Sequence, residues 1–236
     1  MNRPYIVCHI LSSLDGRISG TFMGTKSARQ MGGEYARIRS EFHADGWMYG
    51  TATTKEFTAY RKPAPVEEIT VPDGDYVAKH KNHFYYVSVD VNGEIGWKSG
   101  TFTRPGCPDA HVIEILTEQT PDGYRGYLRK KGVSYILAGK ETLDCRIAAE
   151  KLYELFDIKT LLLCGGGITN WSFAQQGMLD ELSLLLAPAA GGDPAASVFE
   201  KGQFLPTSVP VEFQFKNVEV LENGGLWLTY LAKNRK

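Results

Sequence analysis

Apolar and β-branched runs alternate along the chain with stretches whose apolar residues recur at helical spacing. Tyr5 to Leu11 reads as a first strand. Ala28, Met31, Tyr35, Ile38 and Phe42 are spaced 3, 4, 3 and 4 apart, which is one face of a helix, and Arg29, Glu34, Arg37 and Glu41 are left to face water. Gly46 to Tyr49 is a short strand, and Thr53 to Phe57 reads as a helix start with a threonine cap. Arg61 to Asn82 carries Pro63, Pro65, Pro72 and Gly74 without periodicity and is expected to be a long surface loop. Phe84 to Val91 is a strand, and Asn92-Gly93 predicts a hairpin-type turn before Glu94 to Trp97.

The second half is more regular. Val112 to Leu116 is a strand, and Asp122 to Lys131 is a helix with Tyr124, Tyr127 and Leu128 on one side and Pro121 near its start. Ser134 to Leu137 is a strand, and Leu143 to Phe156 is a helix whose face is Ala148, Leu152, Leu155 and Phe156. Lys159 to Cys164 is a continuous apolar run, the mark of a strand buried on both faces. A short helix to about Gln176 follows three glycines, Gly177 stops it, and Glu181 to Ala187 is a strand. Val211 to Leu221, the turn Asn223-Gly224-Gly225 and Leu226 to Ala232 form an antiparallel hairpin. The expected fold is one α/β domain over residues 1–236, with a mixed, mostly parallel sheet, flanking helices and this antiparallel C-terminal hairpin.

Composition narrows the function. With Lys plus Arg at 26 and Asp plus Glu at 27, the net charge of -1 gives no global field for nucleic acid or an anionic membrane. No apolar stretch approaches the roughly 18 residues of a membrane span. Met1 to Tyr5 runs straight into a strand pattern without the apolar core of a signal peptide. Cys8, Cys107, Cys145 and Cys164 are scattered with no C-x-x-C pair, which points to a reducing, cytoplasmic compartment. The histidines form no metal-ligating motif, so no metal is expected.

The sharpest local feature is Leu163-Cys164-Gly165-Gly166-Gly167-Ile168-Thr169-Asn170, glycines set between a buried strand and a helix start. Without Cβ atoms the backbone can approach an anion, and first-turn N–H groups then face a phosphate. A tight turn that needs a positive φ is the plainer reading, and one glycine would satisfy it. No G-K-[ST] follows, which excludes a P-loop. Gly50, Thr51, Thr53 and Thr54 form a second strand-to-helix turn with hydroxyl and amide donors. Ser12-Ser13-Leu14-Asp15-Gly16-Arg17 closes the first strand. Asp-Gly is ordinarily a turn, yet at a strand end Asp15 could orient a polar substrate or help deliver a proton. Lys140 could meet a 2′-phosphate or be solvated surface, and the same choice applies to Arg37 and Arg39 on the amphipathic helix.

Three segments together resemble the reductase domain of riboflavin biosynthesis, with its dihydrofolate-reductase-like fold. They are Arg3-Pro4-Tyr5 through Ser13-Leu14-Asp15-Gly16-Arg17-Ile18, then Arg39 through Gly50-Thr51-Ala52-Thr53, and Gly165-Gly166-Gly167 through Leu179-Asp180-Glu181-Leu182. The resemblance implies an NADPH-dependent reductase acting on a small-molecule substrate, a ribosylaminopyrimidine phosphate, and it implies a homodimer. By matching position, Gly50, Thr51, Thr53, Gly165, Gly166 and Gly167 would contact cofactor; Ile168 after the glycine turn and Lys140 are further candidate cofactor contacts. Ser13 and Asp15 would lie by substrate and nicotinamide, Asp15 in the catalytic role, and Arg39 takes the place of a substrate-phosphate arginine. Cys164 stands where many family members carry Glu, and Glu56 to Tyr60 with the long loop replaces the family's D-x-P-x-L segment. A related pyrimidine, pterin or carbonyl substrate therefore stays open, and so does a nucleotide-binding regulatory protein of this fold. No H-x-E with a downstream P-C-x-x-C is present, so no zinc deaminase half is expected.

Overall fold

The structure, a computed structural model, describes residues 2–64, 67, 70–202 and 208–233. These group into two compact units: Asp45–Lys159 with residues 2–4, and Tyr5–Ala44 with the described residues from Thr160 onward.

The first unit holds β2 (Gly46–Gly50), α2 (Thr51–Phe57), β3 (Tyr85–Val89), β4 (Thr101–Phe102), β5 (Ala110–Leu116), α3 (Asp122–Lys131), β6 (Ser134–Leu137) and α4 (Cys145–Phe156). β3 pairs parallel with both β2 and β5, β6 pairs parallel with β5, and the two-residue β4 pairs antiparallel with the start of β5. β5 is buried along its whole length, as a central strand requires. Helix α3 follows Pro121 and stops at left-handed Gly132, and it buries Tyr124, Tyr127 and Leu128 as the spacing predicts. Asp144 caps α4 by accepting from the Arg146 and Ile147 amides.

The second unit holds β1 (Tyr5–Ser12), α1 (Lys26–Glu41), β7 (Thr160–Leu163), α5 (Gly167–Gln175), β8 (Glu181–Leu186), β9 (Phe213–Val220) and β10 (Leu226–Ala232). β1 lies between β7 and β8, parallel to both; β10 and then β9 continue antiparallel from β8. The class is α/β with mixed, mostly parallel pairing and an antiparallel C-terminus, as the sequence predicts. The α1 stripe is buried at Ala28, Met31 and Ile38, and Tyr35 and Phe42 pack against the same core with Leu11, Leu185 and Leu221. Arg37 on the opposite face pairs with Glu34 and Glu41 at 2.9 and 2.5 Å.

Two local expectations are corrected. Asn92-Gly93 makes a turn but no hairpin: β3 already has parallel partners on both sides, and the Asp90 carboxylate accepts the Glu94 and Ile95 amides at 2.6 and 2.9 Å, holding that segment as a loop. Helix α2 starts at Thr51 with Gly50 as its cap, so Thr53 lies inside the helix. The Thr51 hydroxyl, drawn to the Val89 carbonyl at 2.7 Å, ties the helix start to the neighbouring strand. In the loop read over Arg61 to Asn82, residues 65, 66, 68 and 69 lie outside the described residues. So does Met1, which entered the reading of the N-terminus. The described part of that loop is irregular apart from a single bridge from Tyr76 to Tyr135.

Candidate active site

Parallel pairing brings the carboxyl ends of β7, β1 and β8 to one edge of the second unit's sheet, side by side. Open α/β sheets bind ligands at such edges. The three loops leaving that edge are the glycine turn after β7, Ser13 to Arg17 after β1, and Ala187 to Gly192 after β8.

The glycines of the turn answer three different needs. Gly165 has φ 102, a conformation that disfavours side chains, and its peptide bond to Gly166 is cis. Gly167 is pressed by the Ser197 carbonyl, which leaves no space for a Cβ. A Cβ on Gly166, by contrast, would meet nothing within 4 Å. Gly166 is also the N-cap of α5, whose first turn carries no acidic residue. The backbone here is open to a ligand and electrostatically suited to an anion. Ile168, in the first turn, is half-exposed beside it, and the Ile168 side chain closely approaches Gly202.

Asp15 is fixed from several directions. The Ser13 hydroxyl donates to Oδ1 at 2.6 Å, and the Gly191 and Gly192 amides donate to Oδ1 and Oδ2 at 3.3 and 2.9 Å. The Ser13 bond, followed by the amides, holds the Asp15 carboxyl down to about 2, so the side chain is ionised at neutral pH. Ser13 itself is buried, and its oxygen also accepts the Arg17 amide at 2.9 Å. Ser13 therefore acts as the brace of the loop that presents Asp15. Arg39 is half-buried near the end of α1, with its guanidinium over the Tyr35 ring at 5.6 Å.

On the first unit, the carboxyl ends of β2, β3, β5 and β6 also share an edge, in register through Gly50, Val89, Ile115 and Ile136. Gly50 is buried at the end of β2, while Thr51 and Thr53 are half-buried in the first turn of α2. Thr54, whose hydroxyl the sequence offers as a donor, is buried and bonds the Tyr86 hydroxyl at 3.1 Å. Lys140 is exposed just after left-handed Gly139, past the end of β6. Three strand spacings, about 14 Å, separate β2 from β6.

Sequence reasoning missed His9. This imidazole is fully buried on β1: Nε2 donates to the Tyr35 carbonyl at 3.0 Å, and Nδ1 accepts from the Ser183 hydroxyl at 3.0 Å. Ser183 in turn accepts from Trp227 Nε1 at 2.9 Å. Burial pushes His9 down to about 4. A lone histidine in an apolar strand carries no spacing signal that would reveal this chain of bonds.

A mixed α/β sheet with a glycine turn and a fixed carboxylate on adjacent strand ends defines an α/β protein with a candidate ligand site at its carboxyl strand ends. Within that class the family is specific. Residues 108–226 match the model of the RibD C-terminal domain, and the chain belongs to that family. The resemblance to riboflavin-biosynthesis reductases is thereby borne out. The chain is 25% identical over 212 residues to the 2,5-diamino-6-ribosylamino-4(3H)-pyrimidinone 5′-phosphate reductase of Methanothermobacter thermautotrophicus, covering 85% of each. It is 26% identical over 197 residues to the enzyme of the same name from Aquifex aeolicus, covering 81% of this chain and 80% of that one. Among solved structures it resembles a pyrimidine reductase-like protein from Corynebacterium diphtheriae, with a TM-score of 0.68 at 16% identity over 99% of this chain and 94% of that one. At that identity the structural likeness speaks for the fold alone.

Proposed function

We propose that this protein is an NADPH-dependent reductase that transfers a hydride to a ribosylaminopyrimidine phosphate or a closely related pyrimidine. The observation that carries the reading is the adjacency of the open Gly166 turn and the ionised Asp15 on neighbouring strand ends. The relatives' names supply the substrate class. The fold likeness over 99% of the chain supports treating residues 1–236 as one reductase-like domain.

The residues fit a dinucleotide. Gly165, Gly166, Gly167 and Ile168 offer backbone approach and the α5 amides to a phosphate, and no carboxylate in the first turn opposes it. Taken by itself, the first unit offers Gly50, Thr51 and Thr53 as candidate cofactor contacts, and Lys140 as a candidate for a cofactor phosphate. When bound, NADPH would supply the hydride. Asp15, held as an anion, accepts hydrogen bonds from a polar substrate group and holds the water that carries a proton to it; Ser13 keeps it aimed. Arg39 is the candidate for the substrate phosphate. Cys8, Cys107, Cys145 and Cys164 form no disulfide among the described residues, which suits a reducing cytoplasm, and no helix among the described residues is long and apolar enough to cross a membrane. The exposed edge strand β9 suits a homodimer.

Purified protein mixed with NADPH and the pyrimidine phosphate tests the reading. Loss of the dihydronicotinamide absorbance is expected. NADPH binding without that loss would favour a nucleotide-binding regulatory protein of the same fold.

A further inference from the structure

The segment from Ala189 to Glu200 has no regular structure beyond one bridge, from Ser197 to Arg17, yet it is bonded to both candidate loops of the second unit. Toward the Asp15 loop, Ala189 O accepts Leu14 N–H at 2.8 Å, Ala196 O accepts Ile18 N–H at 2.8 Å, and Gly191 and Gly192 donate to the Asp15 carboxylate. Toward the glycine turn, Glu200 N–H donates to Gly167 O at 3.1 Å. Val198 belongs to both sides. Its N–H donates to Gly16 O at 3.2 Å, and its carbonyl accepts from Asn170 Nδ2 at 2.8 Å.

Asn170 is the unexpected member. It sits fully buried in α5, and its Oδ1 has no hydrogen-bond partner among the described residues. A buried amide with half its capacity unmet is disfavoured relative to an apolar side chain of the same size. Leucine would fill the site but take this donor from the Val198 carbonyl, so the bond to Val198, and not packing, accounts for asparagine here. Its side-chain amide reaches the carbonyl of Val198, the residue whose N–H holds Gly16, the neighbour of Asp15.

We propose that Asn170 is a positioning residue for Asp15, acting through Val198 and the 189–200 strap, so that the glycine turn and the Asp15 loop are set in place together. Arg17, whose Nη1 donates to Ala195 O at 2.8 Å, pins the middle of the same strap. This rests on the reductase reading for its functional meaning, but its physical content does not. With the anchor cut, the strap shifts, and the Gly191 and Gly192 amides no longer meet the carboxylate squarely.

The test is a carbon-13 NMR titration of the Asp15 carboxyl in the full chain, comparing wild type with Asn170→Leu. Folding is checked by a thermal melt. The expected result is a folded protein with a cooperative melt, with Asp15 titrating above its wild-type value of about 2 and toward the ordinary aspartate range. Faster amide exchange at Gly191 and Gly192 should accompany it. An unchanged Asp15 titration in folded Asn170→Leu overturns the proposal. If that variant does not fold, Arg17→Met cuts the strap at Ala195 instead and is read in the same way. A wild-type protein that fails to consume NADPH would count against the reductase reading alone, because the titration needs no cofactor.

Discussion

Ser13 Oγ donates to Asp15 Oδ1 across 2.6 Å while accepting the Arg17 amide at 2.9 Å, so one buried hydroxyl closes the loop and orients its carboxylate. Removing the carboxylate charge by Asp15→Asn should lower turnover by about 10²-fold or more. NADPH affinity should stay within a few-fold of wild type, since the charge is not the phosphate contact. Ser13→Ala should move the Asp15 titration upward and slow turnover in part. Steady-state kinetics with NADPH titrations checks both, and an unchanged rate in Asp15→Asn would remove that residue from the mechanism.

Neighbouring glycines should fail in different ways. Gly166→Val projects into open space, so the protein should melt near wild type but lose NADPH binding. Gly167→Val drives a side chain into the Ser197 carbonyl and should cost about 1–3 kcal/mol of stability. Differential scanning fluorimetry with and without NADPH separates the two. Wild-type affinity in Gly166→Val would falsify the glycine turn as a cofactor contact.

Two buried histidines and a buried glutamate set opposite pH limits. His9 and His111 are each held down to about 4 by burial, against an ordinary value of 6.5. The folded state therefore resists protons that the unfolded chain accepts, and stability falls as pH drops from about 6.5 to about 4, then levels with respect to these groups. For fully buried His9 the loss is about 3 kcal/mol. Burial, and Asp90 after it, push Glu114 well above its ordinary value, so its contribution is full below the ordinary glutamate range and is lost as pH rises. Glu114→Gln should accordingly flatten the alkaline side of a denaturation-versus-pH curve. A curve unchanged by that substitution would argue that Glu114 carries no proton in the folded state.

Strand β9 is exposed along most of its length, with Phe215 at 56%, Val218 at 45% and Val220 at 75% accessible. Apolar groups on an unpaired edge favour a second copy. Phe215→Glu with Val220→Glu should shift the mass seen by light scattering from dimer to monomer at micromolar concentration. A monomeric wild type would contradict the dimer.

Elements whose burial is periodic were legible in the sequence. Helix α3 falls where Tyr124, Tyr127 and Leu128 place it, because Pro121 and Gly132 give it unambiguous ends. β6 and the β9–β10 hairpin were legible for similar reasons. Asn92-Gly93 misled because turn propensity is local, whereas the choice of strand partner is made by chain segments on either side of β3. Thr53 misled because a threonine run offers several caps, and the Thr51 bond to Val89, distant in sequence, decides among them. The candidate loops at Asp15 and Gly166 could be read from their glycines. The strap that braces them could not: its bonds are mainly to backbone groups, and these leave no mark on which side chains are apolar. His9 and Asn170 each look like a single polar residue until the fold supplies their partners.

The position of β1 has a consequence for synthesis. It is made before every other strand described above, yet both its neighbours in the second unit, β7 and β8, come from beyond residue 159. At about 5–20 residues per second, β1 leaves the ribosome on the order of ten seconds before either partner exists. Its buried residues, Ile6 to Leu11 on both faces, must stay unpaired or sheltered for that interval. The vulnerable interval therefore runs from the synthesis of β1 to that of β7 and β8, and a chaperone requirement would be read at β1.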